Sequence, residues 1–209
     1  NICAVLNISQ LGQRGGLALA NVLLGKVTPG GKLTATWARR YEDYPCAEEY
    51  SYLNGKLERE EYKEGIYTGY RYFDTFGVKP LFPFGYGLSY TTFTLAGMKA
   101  WRDEENLYAS VIVKNTGKRE GSEVVQMYVG AADSKVERPE YVLKDFQKIR
   151  LDAGEEKEVK RNFAIHSFAG VEQAWIRYAS ESNPICLLNG KEVSSTTLGD
   201  YRRADVCKL

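Results

Sequence analysis

Residues 107–130, "LYASVIVKNTGKREGSEVVQMYVG", contain two runs of alternating apolar residues separated by a polar, glycine-containing turn. Side chains two residues apart project to the same face of a β-strand, so each run predicts a strand with one buried face. Asn, Gly and charged residues between the runs favour a chain reversal. The apolar residues that share a face are Leu107, Ala109, Val111 and Val113 in the first run, and Val125, Met127 and Val129 in the second.

The same pattern continues on both sides of this stretch. After a loop that contains Pro139, "DAGEEKEVKRNF" supplies a turn and a further strand, with Val159 and Phe163 on one face. Short strands with turn signals at regular spacing are typical of a small antiparallel β-sandwich. We therefore predict such a sandwich, of the immunoglobulin-like class, over residues 92–209.

The N-terminal residues have a different pattern. "ICAVLNIS", residues 2–9, is a continuous apolar run that is typical of a strand covered on both faces, as in a parallel sheet. "LALANVLLG", from Leu17 to Gly25, predicts a helix that is buried on several sides and ended by the glycine. Residues 1–37 thus read as a strand and helix of an α/β layer, and residues 38–91 as an aromatic and glycine-rich connecting segment. The overall class is α+β.

A single helix cannot cover a strand of this kind on both faces. We therefore expect apolar surface to remain exposed in residues 1–37, and proteolysis between residues 38 and 62 to release them. The glycine-rich turn before the helix could in principle hold a phosphate group. However, G-x-G-x-x-G is absent, and Gly31 stands where a P-loop counted from Gly25 requires lysine. A tight structural turn is favoured, and no nucleotide cofactor is expected.

The composition excludes several classes of partner. With 44% hydrophobic residues, 26% charged residues and a net charge of +1, the sequence gives no electrostatic reason to bind nucleic acid or an anionic membrane. Its longest apolar runs are far shorter than the roughly 18 residues that a membrane span requires. Neither nucleic acid nor a membrane is therefore predicted as a partner.

The four cysteines, Cys3, Cys46, Cys186 and Cys207, form no C-x-x-C pair, so the sequence suggests no metal site. We expect free thiols, which favour a reducing compartment and hence a cytoplasmic location over a secreted one. His166 is the only histidine, and no G-x-S-x-G motif accompanies it, so a Ser-His-Asp triad is not predicted.

Residues 62–93, "YKEGIYTGYRYFDTFGVKPLFPFGYGLSYTTF", are the densest aromatic and glycine run in the sequence. Glu64 and Asp74 could face each other as a catalytic pair, but no motif supports this, and Arg71 is the nearest candidate partner for them. Flat aromatic rings suit the apolar face of a pyranose, so a sugar-binding platform is a second interpretation. A third interpretation, which we favour, is that the rings fill the junction between the sandwich and the α/β layer.

Three sets of residues together resemble the C-terminal part of glycoside hydrolase family 3, the β-glucosidase and β-xylosidase group. They are "GGLALANVLLGKVTPGGKLTATWARRYEDYP", the stretch 62–93, and "VIVKNTGKREGSEVVQMYV" with "PEYVLKDFQKIRLDAGE". The resemblance covers about residues 1–175. It implies the end of an α/β-sandwich domain followed by a fibronectin type III-like β-sandwich, and a bacterial source is favoured.

The resemblance also implies a function. The nucleophile and the usual acid/base of the family would lie outside this chain, so no catalytic residue is expected in it, and the chain alone is expected to be inactive. It would be the accessory portion of a retaining β-glucosidase-like enzyme, with the rest of the parent glycosidase and a β-linked oligosaccharide as partners. The alternative is a non-catalytic carbohydrate-binding or structural β-sandwich module. Candidate residues at the border of the substrate cleft are Tyr67, Tyr70, Arg71, Tyr72, Phe73 and Asp74.

Overall fold

The computed structural model describes residues 3–50, 58, 61–131, 136–164, 174–178 and 183–186. Its helices are α1 (Gly15–Leu23), a 3-10 turn (Tyr41–Asp43) and α2 (Tyr70–Thr75). The strands are β1 (Phe93–Arg102), β2 (Asn106–Asn115), β3 (Gly121–Ala131), β4 (Val142–Leu151), β5 (Glu156–Ala164), β6 (Ala174–Tyr178) and β7 (Asn183–Cys186). Helices thus precede an antiparallel β region, which confirms the predicted α+β class.

The strands form two antiparallel sheets. One has the order β1-β2-β5, and the other has the order β4-β3-β6-β7. In the first sheet Val111 of β2 lies opposite Val159 of β5, and in the second Val125 of β3 lies opposite Gln147 of β4. The hairpin between β1 and β2 and the connection between β4 and β5 are short, as the turn signals in the sequence indicate.

The core lies between the two sheets, and every apolar residue that the alternation predicted to be inward is buried. Leu107 and Phe163 are 4% and 8% exposed, and the other seven predicted residues are at most 2% exposed. Ala100, Ile149 and Leu151 complete this cluster. Each Å² of apolar surface removed from water stabilises the folded state by roughly 25 cal/mol. The layer between the sheets is therefore the main source of stability in the β region.

Two predictions about the N-terminal residues are wrong. Residues 3–9 form no strand, and none of the described strands pairs with them. Helix α1 is present and is followed by Gly25 in the left-handed region at φ 67°, as predicted, but it is not buried. Leu17, Leu23 and Leu24 are 56%, 67% and 70% exposed, so the expected uncovered apolar surface is found on the helix itself.

A short backbone ladder ties residues 33–37 to residues 81–86. Leu33 N–H donates to Tyr86 O and Gly85 N–H donates to Leu33 O, each at 2.8 Å, and Trp37 forms a bridge with Phe82. At the same place, a methyl group on Gly87 would lie 2.5 Å from the Gly31 carbonyl oxygen. Glycine at position 87 therefore allows the two backbones to approach, and the start and end of the connecting segment lie side by side.

The N-terminal residues also contact the sandwich directly. The Arg119 guanidinium donates to Gly25 O at 3.0 Å, and the Tyr90 hydroxyl donates to Val22 O at 3.0 Å. These carbonyl groups lie at the C-terminal end of α1, where intrahelical donors are lacking. The C-terminal end of α1 is thus capped by Arg119, between β2 and β3, and by Tyr90, which lies just before β1.

Glu49 and Lys63, which flank residues 50–62 in the sequence, form an ion pair in which Lys63 Nζ lies 2.8 Å from Glu49 Oε2. Both side chains of this ion pair are about half exposed. Cys3 and Cys46 are free thiols in the structure, as predicted, whereas His166 and Cys207 lie outside the described residues. Among the helices that the structure describes, none is long and apolar enough to cross a membrane.

Candidate functional site at the junction

Helix α2 divides the aromatic stretch into two faces. Gly69, at φ 54°, precedes the helix and allows the sharp entry of the chain. Residues three and four apart are neighbours on a helix, so Tyr70 shares a face with Phe73 and Asp74, while Tyr72 shares another with Phe76. The first face points to the β region, and the second lies farther out.

Tyr70 packs on the outer face of the four-stranded sheet. Its ring centroid lies 5.6 Å from that of Tyr128 on β3 and 6.2 Å from that of Tyr141, and the ring of Phe84 is 5.1 Å away. Its hydroxyl accepts a hydrogen bond from the backbone N–H of Leu143 at 2.8 Å. Tyr70 therefore lies at the centre of the junction, by which we mean the contacts of residues 25–91 with strands β3 and β4 and with residues 136–141 of their connection.

Phe73, on the same face of the helix as Tyr70, anchors α2 to the connecting segment. It is 1% exposed, and its ring meets that of Tyr44 edge to face at a centroid distance of 5.9 Å. Tyr44 follows the 3-10 turn Tyr41–Asp43, and its hydroxyl accepts a hydrogen bond from the Ala38 N–H. The buried ring thus connects α2 to the start of the segment.

Tyr67 and Tyr72 lie at the border of this arrangement. Burial, followed by a hydrogen bond to the Glu137 carboxylate, raises the pKa of the Tyr67 hydroxyl above its ordinary value. Glu137 belongs to the β3–β4 connection, so Tyr67 too contacts the sandwich. Both tyrosine rings pack on Phe76, at centroid distances of 5.0 and 5.1 Å, and Phe76 is 56% exposed. These three rings form a cluster that solvent can reach at the border of the junction.

Arg71 places a positive charge toward strand β4. Burial, together with the charges of Arg138 and Arg71, lowers the pKa of the Lys144 ammonium group below its ordinary value. The Lys144 Nζ also lies 5.9 Å from the ring centroid of Phe163. Arg71 therefore takes part in a cationic border of the junction.

A small cavity lies within the junction. Its volume is about 40 Å³, far below the roughly 300–1,000 Å³ of pockets that bind small molecules, and it is large enough for water only. The buried Thr36 hydroxyl reaches this space and has no hydrogen-bond partner among the described residues. The lining residues are Thr36, Tyr70, Phe73, Asp74, Pro80, Pro83, Phe84, Tyr128 and Tyr141.

Glu64 and Asp74 lie in different surroundings. Asp74 lines the cavity, whereas Glu64 lies before α2 and uses its backbone carbonyl to accept the Tyr67 N–H. Among the described residues, no group of three or more His, Cys, Asp or Glu side chains could hold a metal ion. The contacts that the structure shows at this site are packing and hydrogen bonds between two parts of the chain.

Three residues of the junction were missing from the sequence-based site: Phe84, Tyr128 and Tyr141. Phe84 lies within the same aromatic stretch, and Tyr128 stands between the inward residues Met127 and Val129, so its outward direction could have been deduced. Tyr141 follows the Pro139 loop and has no pattern that marks it.

Two family models match the chain. The model described as "Glycosyl hydrolase family 3 C-terminal domain" matches residues 1–90, and the one described as "Fibronectin type III-like domain" matches residues 123–184. The first match spans α1, the connecting segment and α2, and the second begins within β3. The junction is therefore the place where the two matched regions meet in space.

Similar proteins of known name include the β-glucosidase BoGH3A of Bacteroides ovatus, which is 40% identical over 91% of the chain, and the thermostable β-glucosidase B of Acetivibrio thermocellus, which is 42% identical over 93%. The solved structure of β-glucosidase 3B from Thermotoga neapolitana in complex with glucose superposes on 90% of the chain with a TM-score of 0.76 and 34% identity. The chain spans only about a quarter of these proteins, at 27%, 26% and 27% of their lengths.

Proposed function

The chain belongs to glycoside hydrolase family 3, and we propose that it is the C-terminal accessory portion of a retaining β-glucosidase that removes terminal β-linked sugars. A retaining mechanism needs two carboxyl groups about 5 Å apart, one as nucleophile and one as acid and base. In this proposal both belong to the rest of the parent enzyme. The chain then contributes structure and part of the cleft border rather than the catalytic groups.

The observation that supports this role most strongly is the junction. Two regions that are matched by different family models are held together by the Tyr70 ring cluster, by the Lys32–Glu123 ion pair and by hydrogen bonds such as that from Glu140 N–H to the Thr75 hydroxyl. A free carbohydrate-binding module would gain nothing from such a fixed attachment to a single exposed helix. In an enzyme, the same attachment fixes the sandwich relative to the domain that precedes it.

Exposed apolar side chains of the N-terminal residues provide a surface for the rest of the parent enzyme. Val5, Leu17 and Leu24 are between 56% and 70% exposed, and further apolar residues near them are similarly uncovered. Contiguous apolar surface of this kind is typical of a contact with another folded unit. We propose that the remaining α/β layer covers it.

The six predicted cleft residues remain part of the proposal, in two roles. Tyr67 and Tyr72, with Phe76, are the rings that a bound glycoside could reach. The other four residues would support these rings without contacting the glycoside, because they pack against the sandwich or line the cavity. They are Tyr70, Arg71, Phe73 and Asp74.

A chimera tests this function. The matching 200-residue segment of the Acetivibrio thermocellus β-glucosidase B would be replaced by this chain, and hydrolysis of nitrophenyl β-glucoside measured. We expect a soluble, active chimera, an inactive truncated relative that lacks the segment, and no hydrolysis by the chain alone. A folded but inactive chimera would contradict the proposal. Hydrolysis by the chain alone that is abolished by Glu64→Gln or Asp74→Asn would overturn it.

A further inference from the structure

The outer face of the three-stranded sheet carries a pair of aromatic rings that no part of the junction uses. Trp101 on β1 lies directly opposite Tyr108 on β2. Their neighbours Ala100, Leu107 and Ala109 are at most 4% exposed and point into the core, so Trp101 and Tyr108 project away from it. The two ring planes are parallel to within 5°, with centroids 5.5 Å apart, and both rings are partly exposed.

The β1–β2 turn holds this pair in place. The Tyr108 hydroxyl donates to Asp103 Oδ2 at 2.7 Å, while Asp103 Oδ1 accepts the backbone N–H groups of Glu105 and Asn106 at 2.8 and 2.6 Å. The carboxylate therefore fixes both the turn and the ring of Tyr108. Rings that are fixed before a ligand arrives lose little conformational entropy when it binds.

The surroundings of the rings are polar and carry charged side chains of both signs. On the same face of the sheet, Lys114 pairs with Glu156 at 3.3 Å and Lys160 pairs with Glu158 at 3.1 Å. Asn162 lies opposite Tyr108 on β5 and is exposed. Lys99 lies on the same face, and Glu104 and Glu105 lie in the adjoining turn. Because charges of both signs are interspersed here, this face offers no field of a single sign to attract a nucleic acid or another highly charged ligand. The ligand that fits is neutral, flat and apolar on one side, and rich in hydroxyl groups at its edge.

We propose that Trp101 and Tyr108 form a saccharide-binding platform on which the rings of a β-linked gluco-oligosaccharide stack. The identity of the sugar rests on the proposed function, whereas the platform itself rests on the geometry of the sheet. The platform lies in residues 93–115, between the regions that the two family models match. A large protein partner fits less well, because a stable interface buries about 800 Å² per partner and has few charges at its centre. Here the exposed apolar groups on the face are the two rings and Ile112, with charged side chains between and around them.

Such a platform would hold a glucan chain beside the enzyme. Tethering a polymer at one point raises the effective concentration of its other parts, without any new contact at the catalytic centre. The expected consequence is a benefit for long substrates and none for nitrophenyl glucosides.

The test is a titration of the 209-residue chain with cellohexaose. Binding is measured by isothermal calorimetry and, in a parallel titration, by the NMR chemical shift of the Trp101 indole N–H. We expect saturable binding with a Kd of about 1 mM or below, and a shift of the Trp101 signal. Trp101→Ala should raise Kd at least about tenfold, as is usual for the loss of a stacking ring. Tyr108→Phe keeps the ring and should change Kd much less.

Trp37→Ala is the matched control, because Trp37 is a partly exposed tryptophan far from this sheet in sequence and packs on Phe82 instead. Its Kd should equal that of the unchanged chain. The proposal is overturned if cellohexaose gives no binding up to about 10 mM, if only other signals shift, or if folded Trp101→Ala binds equally well. It is also overturned if sedimentation shows a dimer that Trp101→Ala dissolves. Hydrolysis by the chimera without cellohexaose binding by the chain would remove this inference and leave the proposed function standing.

Discussion

Lys32 and Glu123 are 91 residues apart in the sequence and form an ion pair across the junction. Lys32 Nζ lies 2.9 Å from Glu123 Oε1, and the side chains are only 15% and 12% exposed. The same ammonium group donates to Gly87 O at 2.8 Å. Because the pair is largely removed from water, either partner left alone would be a nearly buried, unpaired charge.

Lys32→Met should therefore destabilise the chain. Breaking a buried ion pair on one side typically costs about 3–5 kcal/mol, and the residual exposure here reduces our expectation to about 2–4 kcal/mol in the free energy of unfolding. Urea unfolding followed by circular dichroism measures it. Lys63→Met breaks the exposed Lys63–Glu49 pair and is the control, for which little change is expected. An unfolding midpoint in Lys32→Met equal to that of the control would contradict the prediction.

The double variant Lys32→Met, Glu123→Leu extends this test. Replacing both partners by apolar residues leaves no unpaired charge, so it should recover more than half of the lost stability. If the double variant is less stable than Lys32→Met, packing around the pair matters more than its charges.

Tyr70→Ala should lower thermal stability. It removes a ring that packs on Phe84, Tyr128 and Tyr141, and we expect a loss of about 2–3 kcal/mol in the free energy of unfolding. Tyr70→Phe keeps the ring and removes only the acceptor for Leu143 N–H, which is worth about 1 kcal/mol. Tyr62→Ala, at a side chain that is 76% exposed, is the control. A Tyr70→Ala variant of unchanged stability that loses sugar binding would make Tyr70 a ligand residue instead.

The sandwich could be predicted from the sequence because its signal is local. Alternation with a period of two placed Val111, Met127 and Phe163 in the core correctly, since each strand needs only one buried face. The junction is a different case. Tyr141 and Phe84 meet around Tyr70 through tertiary packing between distant segments, and no periodicity in the sequence encodes that contact.

For residues 3–9 the sequence predicts a strand that the structure does not contain. The run "CAVLNIS" has the composition of a buried strand, but composition gives only the capacity to pair. A strand forms only when it pairs with a neighbour, and none of the strands that the structure describes pairs with residues 3–9. The leucines of α1 are exposed for the same reason: the pattern correctly identifies apolar faces, but not what covers them.

Limited trypsin digestion should cut first between residues 38 and 62, where Arg39 and Arg40 are exposed. From the sequence, release of residues 1–37 is expected, but the structure changes that expectation. Backbone hydrogen bonds from Leu33 to Tyr86 and from Trp37 to Phe82, each 2.8 Å long, should keep the two pieces together. We therefore expect one peak in native gel filtration and two bands in denaturing gels. Separate elution under native conditions would contradict this.

Acid should weaken the β1–β2 hairpin. The Tyr108 hydroxyl, and then the N–H groups of Asn106 and Glu105, hold the pKa of Asp103 below its ordinary value. A carboxyl group with a lowered folded pKa adds stability above its unfolded pKa of about 3.9, and this contribution disappears as the pH falls through the folded pKa. The stability difference between the unchanged chain and Asp103→Asn should thus shrink below about pH 4. Urea unfolding at pH 7 and pH 3 measures it, and a difference that is constant with pH would refute the role of the carboxylate.

The contact between Glu49 and Lys63 makes residues 50–62 a natural place for insertion of foreign sequence. Because Glu49 and Lys63 are in contact, an added polypeptide whose own termini are close together would not pull on α2 or on the 33–37 ladder. Adding flexible residues between two positions that stay in contact is inexpensive, since each doubling of the length costs only about 0.6 kcal/mol in closure entropy. A fluorescent protein or an affinity tag placed there would report on this part of the enzyme while both flanking segments keep their contacts.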